Sequence, residues 1–164
     1  MNSQPGQTAN QERENWICYI LVSQRVNSQT YTGKTNAFER RLRQHNGELS
    51  GDCRSTKRYR PWRVLRTITG FSTNREAMQF EWALKHQRAP RSSGVTNRVQ
   101  TLLKVLQQPR STNKAPLYTE MQPLSITVHA PRDVFLGHAG LNKLPTIAHA
   151  RFIFQDQCKV DVAK

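Results

Sequence analysis

Five side chains within about 60 residues carry groups that could bind an anion, exchange a proton or hold a cation: Tyr19, Tyr31, Arg41, His45 and Glu81. Arg41 and His45 are four residues apart, so on a helix they project from one face, one turn apart, while Arg40 and Arg43 point elsewhere. A guanidinium offers a planar fork for a phosphate, and an imidazole exchanges a proton near neutral pH. Glu81 lies in the middle of "AMQFEWAL", an apolar run in which an unpaired buried carboxylate is strongly disfavoured. Two readings stay open for it: an ion pair with Lys85 one helical turn on, or a ligand for a hard divalent cation, which prefers carboxylate oxygen. Taken singly, each tyrosine also fits a structural role, its ring in the core and its hydroxyl at a rim.

The elements that must position these groups are legible. "WICYILVS" (16–23) is a continuous apolar run with a β-branched and aromatic bias, expected to be a central strand. "TYTG" (30–33) pairs back on it as a hairpin. "NAFERRLRQHNG" (36–47) reads as a helix capped by Asn36, with Glu39 completing a capping box and Asn46-Gly47 ending it. A basic loop follows, then a strand, "PWRVLRTITG" (61–70). A second helix spans 72–87 with Thr73 and Glu76 as a capping box, and a third spans 96–108, apolar at 99, 102, 103 and 106 and ended by Pro109. Asn97 reads as a cap. The order β-β-α-β-α-α, with hairpin pairing and segregated helices, predicts an α+β fold built on a small central antiparallel three-stranded sheet. Residues 1–14 read as a disordered leader and 109–164 as a C-terminal extension, entered through a linker-like "QQPRSTNKAPLY" and able to add strands at "LSITVHA" (124–130) and "ARFIF" (150–154).

The charge is +14, from 25 Lys and Arg against 11 Asp and Glu. Residues 1–90 hold 15 basic and 7 acidic groups, residues 91–115 hold 5 and none, and residues 116–164 hold 5 and 4. A positive field confined to the first two thirds is the footprint of a nucleic-acid partner. The loop "CRSTKRYRPWR" interleaves Arg54, Lys57, Arg58, Arg60 and Arg63 with Tyr59 and Trp62. Its cations suit a backbone, and an aromatic ring there could stack on an unpaired base, although Trp62, entering a strand, is expected in the core. Candidate nucleic-acid contacts are Lys34, Arg40, Arg54, Lys57, Arg58 and Arg60. No apolar run approaches the length of a membrane span, and the polar N-terminus lacks a signal h-region. Three cysteines, far apart and odd in number, suggest neither a disulfide framework nor a zinc site, and so a reducing compartment.

The paired strands "CYI…TYTG" resemble the signature of the GIY-YIG nuclease superfamily. Cys18-Tyr19-Ile20 stands for the first motif and Tyr31-Thr32-Gly33 for the second, with Cys in place of the first Gly and Thr in place of the middle Ile; both tyrosines are kept. "RRLRQHNG", "STKRYRPWRVL", "GF" and "FEWALKH" are similar, in nearly unbroken register from about residue 17 to 86, to the Slx-type structure-specific endonuclease subunit. The resemblance implies a nuclease domain over 15–108 that hydrolyses phosphodiester bonds in branched DNA, flaps and junctions, with one Mg²⁺ or Mn²⁺. It implies that Glu81 holds that ion, that Tyr19 takes a proton from the attacking water or holds the water in line, and that Tyr31 orients water or binds phosphate. Arg41 would clamp non-bridging oxygens, and His45 would relay the proton from Tyr19 or bond the phosphate. That family carries a zinc-binding RING-type domain after the nuclease; only Cys158 with scattered His129, His138 and His149 follows here, so no zinc is expected and a scaffold partner is left open. The alternatives are a non-catalytic DNA-binding module on the same scaffold and a UvrC-type or homing-type nuclease. The expected setting is intracellular, the nucleus or a site of viral DNA metabolism.

Overall fold

The computed structural model describes residues 14–51, 53–89 and 92–155. The expected leader therefore lies, apart from Glu14, outside the described residues. Five strands form one mixed sheet: β1 (Trp16–Ser23), β2 (Thr30–Thr35), β3 (Trp62–Phe71), β4 (Leu124–Val128) and β5 (Ala150–Phe154), in the order β2-β1-β3-β4-β5. The first four pair antiparallel and β4–β5 pair parallel. The α+β class agrees with expectation, but the sheet has five strands rather than three, and it is mixed. The reason lies in the unpaired outer edge of β3. Leu124, Ile126 and Val128 point into the core from β4, whose backbone supplies the partners that β3 would otherwise leave open. A helix between β4 and β5, α5 (Arg132–Ala139), carries the chain back for a parallel pairing. The sequence reading has no counterpart for that helix.

The remaining helices are α1 (Phe38–His45), α2 (Arg54–Lys57), α3 (Asn74–His86) and α4 (Gly94–Leu106). Alternation along β1 divides the molecule. Cys18, Ile20 and Val22 face Ala77, Phe80, Ala83 and Leu84 of α3, Val99, Leu102 and Leu106 of α4, and Phe135 of α5. Tyr19 and Leu21 face the other way, with Trp62, Tyr31 and the α1 residues Phe38 and Leu42. The α3 helix is less uniformly apolar in its surroundings than its sequence suggests, since Met78 and Trp82 are about half exposed.

Three local expectations are corrected. Asn36 and Glu39 form no capping box on α1: its N-terminus begins after Ala37, whose N–H donates to the Thr35 hydroxyl at 3.0 Å. On α3 the Thr73 hydroxyl accepts from Glu76 N–H at 3.2 Å as expected, but the Glu76 carboxylate reaches back to Ser72 N–H, 2.7 Å, rather than to Thr73. The stretch read as a linker is packed: Ser111, Ala115 and Tyr118 are buried, and Tyr118 donates to the Val105 carbonyl at 3.1 Å.

Candidate active site

The phenols are set by strand register. Tyr19 of β1 stands opposite Gly33 of β2, and Leu21 opposite Tyr31, so both phenols share the α1 face. Their ring centroids are 6.2 Å apart. Gly33 is required by space rather than by backbone angle. A Cβ at this position would lie 2.5 Å from Tyr19 Oη and 3.0 Å from Tyr31 Cε1.

His45 ends α1 beneath them, fully buried, 4.7 Å between centroids from Tyr31. Its hydrogen bonds define its tautomer. The Thr56 hydroxyl donates its proton to the Cys53 carbonyl at 3.0 Å, so toward His45 it can only accept. His45 Nδ1, 2.9 Å from that oxygen, is therefore the protonated nitrogen. Nε2 is left with its lone pair facing Tyr19 Oη at 2.8 Å, and the phenol donates to it. A directed chain results: Tyr19 O–H to His45, His45 N–H to Thr56, Thr56 O–H to Cys53. Burial first, and the charges of Arg41 and Arg60 second, lower the His45 pKa to about 4, so the ring is a neutral acceptor at pH 7. Burial, followed by the neighbouring Tyr31, pushes the Tyr19 hydroxyl above the usual phenol range, and a hydrogen bond from Arg41 together with its charge opposes that shift. Arg41 is half-buried and also donates to Gln44 Oε1 at 3.1 Å.

The α3 helix reaches the same place from the opposite face. It runs along β2, the outer strand: Lys34 Nζ donates to Asn74 Oδ1 at 2.9 Å near one end, and Lys85 Nζ lies 5.9 Å from the Tyr31 ring centroid near the other. Glu81 sits between. Its Oε1 accepts from Lys85 Nζ at 2.6 Å, with the Glu81 side chain 15% and the Lys85 side chain 39% exposed. A Glu81 oxygen thus lies within the sum of those two Lys85 distances from the Tyr31 ring. The pairing with Lys85, one of the two sequence readings, is present. It does not exclude the other, because the lysine is the more exposed member and sits at the end of a flexible stem. Among the described residues no group of three or more His, Cys, Asp or Glu side chains could hold a metal ion. A lone carboxylate suits a hard cation that keeps its waters and takes phosphate oxygens, the habit of Mg²⁺, and does not suit a closed all-protein cage.

The expected nucleic-acid contacts divide. Arg40, Lys57 and Arg58 are exposed on α1 and around α2, with Arg54 exposed beside them. Arg58 lies 5.4 Å over the Tyr59 ring. Arg60 is spent elsewhere: its Nε donates to the His45 carbonyl at 2.5 Å and its Nη2 to the Gln44 carbonyl at 3.2 Å, closing the last turn of α1. Lys34 lies on the α3 face of the sheet, across from the phenols and 4.7 Å over the Trp16 ring. Trp62 is in the core as expected, 4% exposed, donating from Nε1 to the Thr56 carbonyl at 2.8 Å. Asn97 does not cap α4, which starts after Ser93; its amide ties Ala89 and Ser92 to the helix.

Thr56 is the residue that sequence reasoning missed. It lies in a loop that reads as a run of cations, and nothing in spacing or periodicity sets it apart. A small hydroxyl residue flanked by Cys53 and Trp62 is the only trace of its buried role.

Residues 15–94 match the GIY-YIG catalytic domain family. The chain is 47% identical over 77 residues to a structure-specific endonuclease subunit slx1 of Schizosaccharomyces japonicus, covering 46% of this chain and 28% of that protein. It is 38% identical over 82 residues to an SLX1 subunit of Ajellomyces capsulatus, 49% and 20% of the two chains, and 44% identical over 69 residues to an SLX1 homolog of Giardia intestinalis, 41% and 19%. The chain thus spans less than a third of the length of these relatives. The matched segment contains both tyrosine strands, α1, the Thr56 turn and α3, and residues 15–94 thus carry the match to a GIY-YIG catalytic domain.

Proposed function

We propose that residues 15–94 act as a structure-specific endonuclease that hydrolyses phosphodiester bonds in branched DNA, with a divalent cation, Mg²⁺ or Mn²⁺, held at Glu81. The carrying observation is the directed chain Tyr19–His45–Thr56 beside Arg41, set at the strand edge that α3 brings Glu81 to meet. The relatives are named as structure-specific endonuclease subunits, which supports a DNA substrate and a partner subunit for this chain as well. A charge of +14 supports the same partner chemistry.

The residues divide the work as follows. Arg41 binds the non-bridging oxygens of the scissile phosphate and neutralises charge as the transition state forms. Tyr19 faces the attacking water. As the water gives up its proton to the phenol oxygen, the phenol's own proton passes to His45 Nε2, so no free phenolate is required of a hydroxyl whose pKa is raised. Thr56 holds His45 in the tautomer that can accept. In the free protein the cations around His45 work against its protonation. A phosphate beside Arg41 offsets that positive field, so the base strengthens when substrate is in place. Tyr31 borders both His45 and the Lys85–Glu81 pair and positions water or phosphate between them. Glu81 would hold the divalent cation, which would supply charge neutralisation as the phosphodiester is cleaved.

The Lys85–Glu81 pair favours one other reading, a DNA-binding module without catalysis, in which the carboxylate is permanently engaged. The two are separated by incubating the protein with 5′-flap, Holliday-junction and linear duplex DNA, with Mg²⁺ or EDTA, beside Glu81→Ala. Metal-dependent cutting of the branched substrates that vanishes in the variant is expected. Binding without cutting identifies the module, and equal cutting of plain duplex points to a UvrC-type or homing-type enzyme.

A further inference from the structure

Arg66, in the middle of β3, is 2% exposed, and both its Nε and its Nη1 are sealed from solvent without a hydrogen-bond partner. Its guanidinium lies 5.0 Å over the Phe135 ring of α5. Burial, and then the charge of Arg63, lower its pKa to about 9, so it stays charged at pH 7. A buried, charged guanidinium with two idle donors is strongly unfavourable unless something accepts from it. The surroundings show where that acceptor would sit. Arg66 lines a cavity of about 160 Å³, together with Arg63, Asn27 and His138, against the apolar walls Val95 and Phe135. The lining contains two arginines and a histidine, and no carboxylate among the described residues. Arg66 also lowers His129 and His138, after burial, so its field fills this corner of the fold. At ~30 Å³ per water the space takes several waters or one compact anion. Waters could receive the N–H groups but would leave two guanidinium charges uncompensated.

We propose that this cavity is a binding site for a small tetrahedral oxyanion of the phosphate class, gripped by the buried Arg66 fork and closed by Arg63, Asn27 and His138. A guanidinium prefers two-point contact with such an ion, and the small shift that would turn a sealed Arg66 donor toward the cavity is what an anion there would stabilise. The site lies under α4 and α5, on the face of the sheet away from Tyr19 and α1, and rests on nothing in the nuclease reading. Its occupant is either free inorganic phosphate or a backbone phosphate of a bound nucleic acid. The two share the recognition chemistry and differ in what is attached.

The test uses the full 164-residue chain in buffer free of phosphate and sulfate. Inorganic phosphate is titrated by calorimetry, with thermal melts alongside, into wild type, Arg66→Met and Arg63→Gln. Saturable one-to-one binding is expected for wild type, with affinity at least tenfold weaker in Arg66→Met and several-fold weaker in Arg63→Gln. Without phosphate, Arg66→Met should melt no lower than wild type, because an apolar chain of similar length replaces an uncompensated cation. Should Arg66→Met not fold, Arg63→Gln, at a half-exposed position, carries the comparison. A duplex titration separates the sources. If the backbone fills the site, phosphate displaces DNA beyond a chloride control of equal ionic strength and Arg66→Met weakens DNA binding; if the free ion fills it, neither occurs while phosphate binding still depends on Arg66. Absence of saturable phosphate binding by wild type, or equal affinity in all foldable variants, overturns the proposal.

Discussion

Thr56→Val tests the proton chain at its least conspicuous link. Valine keeps the shape of threonine and removes one hydroxyl. His45 is fully buried, and its Nδ1–H loses its acceptor at 2.9 Å. Leaving a buried donor unsatisfied costs about 1–3 kcal/mol. The ring can escape that cost by carrying its proton on Nε2, which then donates to Tyr19 Oη across the 2.8 Å contact, the reverse of the wild-type bond. An imidazole in that state cannot take the Tyr19 proton. At about 1.4 kcal/mol per tenfold, the reactive tautomer falls by roughly fivefold to a hundredfold. Single-turnover cleavage of a 5′-flap in Mg²⁺ should slow by that factor with flap affinity unchanged. ¹⁵N NMR of His45 should show the proton moved to Nε2. Thr56→Ser, which keeps the hydroxyl, should restore both. Cleavage by Thr56→Val at the wild-type rate with the Nδ1–H tautomer intact, or a Ser variant as slow as the Val variant, refutes the reasoning.

Three further outcomes follow from the same geometry. Gly33→Ala should lower the cleavage rate by ~10²-fold, as about 1 Å of misplacement in an active site does, because its methyl would lie 2.5 Å from Tyr19 Oη; flap cleavage and circular dichroism measured together separate this from misfolding. Stability should fall as pH drops from the ordinary His value of about 6.5 toward 4, because the unfolded chain takes up a proton that buried His45, lowered to about 4, does not. Urea melts across that window should show a loss of order 3 kcal/mol, absent in His45→Gln. Arg60→Met removes two bonds to the last carbonyls of α1 and should cost about 1–3 kcal/mol, while the salt dependence of DNA binding is unchanged; a shallower salt slope would make Arg60 a phosphate contact.

How much of this was legible in the sequence depends on the range of the interaction. The β1–β2 hairpin, α3 and the facing of Tyr19 and Tyr31 follow from short-range patterns of apolar runs, alternation and turn residues. The i, i+4 link between Arg41 and His45 is likewise local. The β4–β5 addition could be anticipated only as added strands, because the parallel pairing depends on a crossover through α5, whose weakly patterned "RDVFLGHA" gives little helical signal. Cap chemistry is misleading at Asn36: no side chain caps α1, and the Thr35 hydroxyl instead accepts from Ala37 N–H in the turn that precedes the helix. The largest gap is in the cation-rich loop. Charge alone offers Arg60 as a phosphate contact and passes over Thr56; only tertiary structure shows that Arg60 also closes α1 and that Thr56 orients a histidine. Arg66 escaped notice for the converse reason: a single arginine in an apolar strand reads as an edge position until the helices that cover it are in place.

The central claim is that Glu81 and the two tyrosines converge on one bound cation. Crystals of the protein grown with Mn²⁺ and a non-cleavable flap DNA, measured at the manganese absorption edge, locate that ion directly. One anomalous peak is expected against the Glu81 carboxylate, with Lys85 displaced and a phosphate between the ion and Arg41, and no peak in Glu81→Ala. A manganese ion bound away from Glu81, or one that persists in the variant, contradicts the account.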